Sequence, residues 1–556
     1  MLLFCIQAHG QVVINEIMAD PAPSAGLPEC EYIELYNTGP WEVSLNGWRL
    51  FCEDDPVKLD GAVIGPGSYL VLCRSSCRQE MARYGEVFPV EGMPALTNKG
   101  EALFLKNRWG QMVSFVHYAD DWYGDALKKE GGWSLEQVDA ANPCGGRSNW
   151  TASNDPRGGT PGRANSVEDT HPDLASPVLR FVGMPDSTTV LLEFDEPLTS
   201  DAVVSPESYH VEGIGAPVDV RYPGSCFHRV QLVFADPFRA GVRYRLAVRG
   251  RLTDCVGNTI GEGTYGIFEL PVLPEAGDVV INEVLYDPWP GGTEYVEIYN
   301  RSGKTIDLSG LRMATPKPSQ ERDVGYYPLS HTSRLFLPGQ YLVCTRQPDI
   351  VAQHYTVEDP GALMGMGRMP VLANRGGRLM LAGDGDRVID RLDFDKSLHS
   401  PLQRTAPGAS LERVHYDRPS DDPSNWHTAA QSAGFGTPTY RNSQFVGPKA
   451  RRQALTIRPE VFSPDQDGRD DLLEVCLRFA RPGYVASVKV YDTRGRLVRT
   501  LADHQTTGTE TTFTWDGLDD NRRKARMGIY LIQVEAFHLS GETRVSRKAC
   551  VLGGRL

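Results

Sequence analysis

The residues best placed to do chemistry in this sequence are acids that recur in matched company. Asn15 and Glu16 lie in the apolar frame Val12-Val13-Ile14-Asn15-Glu16-Ile17, and Asn282 and Glu283 lie in Val279-Val280-Ile281-Asn282-Glu283-Val284. Glu34 and Asn37 end a block, Glu31-Tyr32-Ile33-Glu34-Leu35-Tyr36-Asn37, whose counterpart carries Glu297 and Asn300, Glu294-Tyr295-Val296-Glu297-Ile298-Tyr299-Asn300. Paired carboxylates beside amides are the material of general acid–base catalysis or of a hard-cation site. The stronger reading is structural: polar residues along strands and Asn at strand ends cap turns and tie neighbouring backbone together. Asp20 and Asp287, each before a proline, read as Asx-turn residues. A separate acidic run, Asp465-x-Asp467-Gly468-x-Asp470-Asp471, sets oxygen ligands around a glycine turn and suits calcium. It is not an EF-hand loop, since Cys476 stands where a bidentate glutamate is needed, and a plain acidic turn is an equal alternative.

Other chemistries lack their residues. No H-E-x-x-H, G-x-S-x-G or G-x-G-x-x-G at a strand-to-helix junction occurs, and the 12 histidines are scattered, none at a matched position of the repeated blocks. Ser302-Gly303-Lys304-Thr305 imitates the tail of a phosphate loop but has Ile298 in place of the first glycine, so it reads as a turn. The sequence therefore predicts no enzyme; hydrolysis by carboxylates alone is the remaining catalytic alternative. The net charge of −14 opposes nucleic-acid binding. Only residues 451–556 lean basic, with 18 Lys and Arg against 14 Asp and Glu, and Arg522-Arg523-Lys524 is expected in a solvated turn.

The 11 cysteines form no Cys-x-x-Cys pair, which removes zinc-ribbon and thioredoxin-like readings. Disulfides are the better use, with Cys226 and Cys255, and Cys476 and Cys550, as candidate local pairs in an oxidising compartment. Pairing among Cys30, Cys52, Cys73, Cys77 and Cys144 stays open, and Cys344 stands alone. Met1 to Gly10, MLLFCIQAHG, has the pattern of a signal-peptide remnant, with a lipidated Cys5 as a weaker alternative, and no other stretch is apolar enough to span a membrane.

The elements that must position these side chains are strands. Short alternating apolar runs stop at Gly, Pro or Asn, and 56 Gly and 39 Pro fall singly between them, which is the punctuation of an all-β chain. The matched blocks continue in order: Leu45-Asn46-Gly47-Trp48 with Leu308-Ser309-Gly310-Leu311, Pro66-Gly67-Ser68-Tyr69-Leu70-Val71 with Pro338-Gly339-Gln340-Tyr341-Leu342-Val343, Ser134-Leu135-Glu136 with Ser410-Leu411-Glu412, Asn149-Trp150 with Asn425-Trp426, and Gly159-Thr160-Pro161 with Gly436-Thr437-Pro438. This is an internal duplication. Each block is expected as a half-buried strand, with Trp48, Trp150 and Trp426 in the packing. Residues 172–272 carry a different strand pattern, including Val190-Leu191-Leu192-Glu193-Phe194 and Tyr244-Arg245-Leu246-Ala247-Val248. The expected architecture is four immunoglobulin-like β-sandwich modules in series, at 11–165, 172–272, 278–442 and 455–556, joined by short linkers near 166–174, 272–278 and 443–454.

The order of the duplicated blocks resembles the lamin tail domain, an immunoglobulin-like sandwich. Residues 172–272, with Phe194-Asp195-Glu196-Pro197-Leu198 and Asp254-Cys255-Val256-Gly257-Asn258, resemble bacterial Ig-like domains of surface proteins. The last hundred residues, with Phe462-Ser463-Pro464-Asp465, Val488-Lys489-Val490-Tyr491-Asp492, Trp515-Asp516-Gly517 and Gly528-Ile529-Tyr530-Leu531, resemble the gliding-motility-associated C-terminal domain and the related flagellar hook-capping Ig-like fold. These resemblances imply a protein exported by the type IX secretion system of a Gram-negative bacterium to the outer face of its outer membrane. They imply a non-catalytic scaffold, adhesion or protein-interaction subunit linked to the secretion or gliding machinery. A secreted glycan- or polymer-binding adhesin is the alternative.

Overall fold

The computed structural model describes residues 12–52, 55–143, 145–198, 201–223, 228–250, 252–316, 325–401, 407–446, 454–465 and 469–554, with the side chains of 201 and 454 excepted. The expected signal remnant, Cys144, Cys226 and Asp467 lie outside the described residues. No described helix is long and apolar enough to cross a membrane. The chain is all-β, as its periodicity requires, and divides into two compact units, residues 1–270 and 271–556.

The first unit begins with a six-stranded sheet in the order Trp150–Ala152, Leu135–Gln137, Val12–Met18, Tyr32–Asn37, Tyr69–Arg74, Val87–Val90. All neighbours in it are antiparallel except the last pair. Its inner face packs on a four-stranded sheet of Met112–His117, Ala102–Lys106, Arg49–Cys52 and Asp55–Lys58, and Ile14, Ile33, Leu35 and Leu72 from one layer meet Leu50, Leu103, Leu105 and Val116 from the other. Trp48 and Trp150 belong to this core, as expected. A second sandwich follows, four strands (Leu179–Asp186, Thr189–Phe194, Arg229–Val233, Asp219–Arg221) with three (Tyr209–Val211, Tyr244–Val248, Tyr265–Phe268). Phe238 stands edge-on to Phe234, Tyr244 and Phe268 there, with centroids 4.9–5.0 Å apart.

The second unit repeats the first pattern. Its six-stranded sheet runs Leu363–Gly365, Tyr341–Thr345, Tyr295–Asn300, Val279–Leu285, Leu411–Arg413, Trp426–Thr428, and a four-stranded sheet of Tyr327–Pro328, Arg312–Ala314, Gly376–Ala382 and Val388–Asp395 accompanies it. The chain ends in a sandwich of three strands (Ala454–Arg458, Leu473–Arg478, Glu510–Trp515) and five (Val461–Phe462, Thr543–Leu552, Gly528–His538, Tyr484–Asp492, Leu497–Thr506), closed around Trp515, Phe462 and Tyr530.

Two expectations change. Val12–Met18 and Val279–Leu285 are not half-buried; all seven residues of each are buried. The cause is a roof on the outer face of each six-stranded sheet, made partly by a short helix and a second apolar cluster: Tyr32, Val71, Cys73 and Met81 in one copy, Tyr295, Val343, Val351 and Tyr355 in the other. Described residues within the stretches expected as linkers make hydrogen bonds of their own, because backbone groups that leave water must find partners. Asp169 N donates to Val138 O at 3.0 Å, Val272 N to Thr305 O at 2.9 Å, and Thr509 N to Ser443 O at 2.7 Å. The Cys476–Cys550 bridge does not form; both are thiols. Side chains alternate across a strand, and Cys476 lies on the outward side of Leu473–Arg478 while Cys550 points into the core, so their Cβ vectors diverge.

The pair that does form is Cys30–Cys77, with Cα atoms 6.0 Å apart and 47 residues between them in sequence. Cys52, Cys73 and Cys344 are buried thiols. Cys255 is disulfide-bonded, and Cys226, its expected partner, lies outside the described residues. Replacing Cys30 and Cys77 together by serine is expected to lower the unfolding free energy of the first unit by about 2–4 kcal/mol. Cys476→Ser is expected to change nothing in the same urea titration.

Candidate functional site

The repeated acids meet on the outer face of the six-stranded sheet. The antiparallel register between Val12–Met18 and Tyr32–Asn37 slips by one residue between Ile14 and Glu16, so Asn15 is the extra residue of a β-bulge, and the second copy slips identically between Ile281 and Glu283. The bulge frees a backbone N–H, which the opposite sheet satisfies: Ile14 N donates to Ser114 Oγ at 3.0 Å, and Ile281 N to Asp390 Oδ2 at 2.7 Å. Beyond the bulge the register sets Glu34, Glu16 and Glu136 abreast on three adjacent strands, and Glu297, Glu283 and Glu412 in the second copy. All six side chains are fully buried.

Like charges abreast repel, so donors must be brought to them, and a closing segment brings most. Glu16 Oε1 accepts from Tyr32 Oη at 2.7 Å, Ser134 Oγ at 2.6 Å and Thr160 N at 2.8 Å. The Thr160 hydroxyl lies 2.9 Å from Glu136 Oε1 and 3.3 Å from Glu16 Oε2. Ser166 donates to Glu136 Oε2 through N and Oγ, at 2.6 and 2.7 Å. Glu34 accepts from Asn15 Nδ2 at 2.9 Å and Gly162 N at 2.5 Å. Asn165 completes the set, its Nδ2 donating to the carbonyls of Asn15 and Gln137 at 3.0 and 2.7 Å.

The second copy repeats this with one change, the backbone donor to Glu412 Oε2 being Gln444 N at 2.8 Å beside Ser443 Oγ at 2.8 Å. Tyr295, Ser410 and Thr437 N converge on Glu283 Oε1 at 2.5, 2.6 and 2.9 Å, and the Thr437 hydroxyl lies 2.8 Å from Glu412 and 2.9 Å from Glu283. Asn282 and Thr439 N hold Glu297 at 2.7 and 2.5 Å, and Asn442 Nδ2 reaches the carbonyls of Asn282 and Arg413 at 3.0 Å.

Burial first, and the charge of Glu136 second, push the Glu16 carboxyl up to about 7. Burial, with the charge of Glu283, pushes Glu412 up to about 8. Glu34 and Glu297 rise for the same reasons, with Glu16 and Glu283 as their charged neighbours. A single hydroxyl hydrogen serves two carboxylates at Thr160. A proton held on Glu16 Oε2 makes that carboxyl a donor to Thr160 Oγ1 and removes one charge from the row. The arrangement is a clasp: the acids hold the closing segment down, and the segment seals the acids from water.

Of the acids and amides singled out in the sequence, the structure brings Asn15, Glu16 and Glu34 together, and Asn282, Glu283 and Glu297. Asn37 and Asn300 stand apart as strand-end caps; Asn37 Nδ2 donates to Trp41 O at 2.8 Å, and Asn300 Nδ2 to Lys304 O at 2.9 Å. Asp287 binds Asn374 Nδ2 at 2.8 Å and Lys396 Nζ at 3.4 Å, tertiary partners in addition to any local turn role. Glu136, Thr160 and their counterparts sat in blocks recognised as repeated but not as part of the site. Asn165 and Asn442 had a usable signal, since each follows its Gly-Thr-Pro threonine by five residues.

Of the calcium candidates, Asp465 and Asp470 are exposed, Asp471 is half-buried and Asp467 lies outside the described residues. Among the described residues the carboxylates that converge are instead Asp173, Glu196 and Asp254, with oxygens within 4.8 Å of one another. Asp254 Oδ1 already accepts from the N–H groups of Val256, Gly257 and Asn258 at 2.7–2.9 Å, so Asp254 organises a turn. Burial, with the charges of Asp254 and Asp173, pushes the Glu196 carboxyl up to about 8.

Sandwiches of this kind, built twice over one bulged and clasped sheet, define a class of immunoglobulin-like repeat. The sequence matches the Lamin Tail Domain family over residues 6–120 and 274–394 and the FlgD Ig-like domain family over residues 467–539. The chain therefore carries two lamin tail domains and a C-terminal FlgD Ig-like domain. Both lamin tail matches stop short of Glu136 and Glu412, so the third acid and the closing segment lie beyond the matched ranges. No curated protein matches the chain.

Solved structures with some likeness include the N-terminal part of the bacterial S-layer protein SbsC (13% identity, 40% of this chain and 44% of that one, TM-score 0.17). Another is a DUF4876 family protein from Bacteroides thetaiotaomicron (12% identity, 39% and 84%, TM-score 0.18). A Ca2+-stabilized adhesin that helps an Antarctic bacterium bind ice also aligns (11% identity, 98% and 99%, TM-score 0.12). Scores this low carry nothing about function.

The clasp predicts how stability depends on pH. A carboxyl whose folded pKa is raised contributes fully below its ordinary value of 4.5 and loses that contribution as pH rises through about 7 for Glu16 and about 8 for Glu412. Burial first, and His427 second, depress His399 from 6.5 to about 4, so its contribution is present above 6.5 and lost as pH falls toward 4. The urea midpoint of the second unit should therefore peak broadly between pH 4.5 and 6.5 and fall on both sides. A flat profile from neutral to alkaline pH contradicts this. Glu412→Gln should flatten the alkaline limb. In the first unit, Thr160→Val should cost about 1–3 kcal/mol in the same measurement, because two buried carboxylates lose their shared donor.

Proposed function

We infer that this protein is an exported, non-catalytic cell-surface component, a scaffold or adhesion subunit whose β-sandwich modules present faces and edges to protein partners in an extracellular or outer-membrane assembly. The observation that carries this reading is the sealing of both glutamate rows. Four of them are the acids whose duplication first pointed to chemistry, yet all six are fully buried and bonded to donors of their own domain. A catalytic carboxylate has to reach its substrate, and these reach only the segment that closes over them. The Cys30–Cys77 bridge and the bonded Cys255 suit an oxidising compartment. The resemblance of the terminal module to gliding-motility-associated C-terminal domains supports export by the type IX route and retention at the outer membrane.

A second reading has its own observation. Trp41 and Trp109 are 73% and 71% exposed in the first lamin tail domain. The second copy has Lys304 and Thr305 at the turn matching Trp41, and an Asp384-Gly385-Asp386 hairpin tip. Exposed indoles stack well on flat apolar faces, sugar rings included, so a glycan- or polymer-binding role confined to the first copy is the alternative.

Cross-linking on intact cells, followed by identification of the partners, tests the main reading. Stable cross-links to outer-membrane or surface proteins, with the protein cleaved by protease added outside, are expected. Recovery from the cytosol with Cys30 and Cys77 reduced sinks it. Retention on a polysaccharide column that disappears in a Trp41→Ala, Trp109→Ala variant, without protein cross-links, decides for the alternative.

A further inference from the structure

The last strand, Thr543–Leu552, pairs along its whole length with Gly528–His538 on one side. On its other side, among the described residues, its ladder partner is Val461–Phe462, which pairs with Val551 and Leu552, and the strand Ala454–Arg458 of the opposite sheet lies nearby without pairing. Residues 543–549 therefore form an open sheet edge seven residues long, and all seven are exposed. Unpaired edges of this length are normally covered or shortened, because their backbone N–H and C=O groups invite another strand.

The side chains along the edge state which strand is invited. Cys550 and Leu552 face the core, so by alternation Arg544, Ser546 and Lys548 lie on the inner side and Val545, Arg547 and Ala549 on the outer side. On the inner side Arg544 and Ser546 are exposed and border a shallow groove between the two sheets, its other walls Leu455, Leu477, Arg478 and Phe479 from the opposite layer and Val534 and Ala536 from the neighbouring strand. The outer side continues onto the neighbouring strand, where Ile529 and Phe537 are exposed. The edge and groove thus present Arg478, Arg544, Arg547 and Lys548, against Glu542 bonded to Arg544 at 2.7 Å, Glu510 paired with Arg478 at 3.2 Å and the exposed Glu535 across from Val545. This basic flank belongs to a chain whose net charge is −14.

We propose that this edge docks an extended polypeptide segment of alternating acidic and aliphatic residues, added as a further strand beside Thr543–Ala549. This deepens the reading of the protein as a surface interaction subunit and rests on it. Acids on the inner side of the added strand meet Arg544, Ser546 and Lys548, aliphatic groups on the outer side pack on Val545 and toward Phe537, and the backbone ladder completes the edge. Basic residues on an edge also act against pairing between identical edges. Here they exclude a second copy of the same strand, which would set Arg and Lys against Arg and Lys, while admitting an acidic one.

The test uses the full chain and three labelled octapeptide probes followed by fluorescence anisotropy: Ac-(Val-Glu)4-NH2, Ac-(Val-Lys)4-NH2, and the first peptide N-methylated at alternate amides. Saturable binding of the Val-Glu peptide is expected. Binding at least tenfold weaker is expected for the Val-Lys peptide, the N-methylated peptide and an Arg544→Glu, Lys548→Glu variant that unfolds at the wild-type urea concentration. Absence of saturable binding overturns the proposal. So does equal binding of the N-methylated peptide, which reduces the contact to charge, or equal binding by the variant, which moves the contact elsewhere. Should the variant not fold, the two control peptides decide alone. Cross-linked partners found on cells without peptide binding remove this edge while leaving the wider function standing.

Discussion

Three carboxylates abreast on one face of a sheet stay out of water only if enough donors are brought to them, and the lamin tail domains of this chain are organised around that requirement. The donors come from far along the sequence. Thr160 N, which bonds Glu16, is 144 residues away, and Thr437 N is 154 residues from Glu283. The first strand of each domain is thereby tied to its last segment, and the sheet acquires a polar layer between its apolar inner face and its roof. Leaving any member without its partner exposes a buried charge to the full desolvation penalty, so the network behaves as a unit.

The two copies show what this requirement fixes and what it leaves free. The glutamates, the threonine, the serine on the third strand and both asparagines are identical in role. One position further along, Gln137 and Arg413 diverge. Arg413 is fully buried, donating to Ile281 O at 2.7 Å and pairing with Asp390 at 3.0 Å, which also receives the bulge N–H of Ile281. In the first copy Ser114 takes that N–H, and the buried amide atoms of Gln137 have no hydrogen-bond partner among the described residues. A buried ion pair distinguishes the two copies beside the clasp, while within it only the backbone donor to the third glutamate shifts, from Ser166 N to Gln444 N. The loops at the domain ends diverged further, with two exposed tryptophans in one copy and an acidic hairpin tip in the other.

Much of the fold was legible because it rests on local rules. Period-two alternation marked strands such as Arg229–Val233 and Tyr244–Val248, and the duplication aligned two domains without reference to any other protein. The clasp was only half legible. Asn15, Glu16 and Glu34 drew attention because acids in an apolar strand are costly, but nothing in one strand shows that its outer face is roofed. Alternation therefore suggested half-burial where the structure has complete burial. Cys476 and Cys550 misled for a related reason: they belong to one sandwich, yet sequence separation does not reveal that one faces out and the other in.

What the sequence by itself determined is the material: all-β modules, a duplicated domain, a terminal Ig-like domain, acids placed where acids are expensive, and thiols numerous enough for bridges. Pattern and composition act over a few residues, and a repeat announces itself by identity. What only the tertiary structure decided is use. Whether a glutamate is a reagent or a clasp depends on the donors and the exclusion of water around it, and those arrive on strands and loops more than a hundred residues away whose approach no local rule encodes.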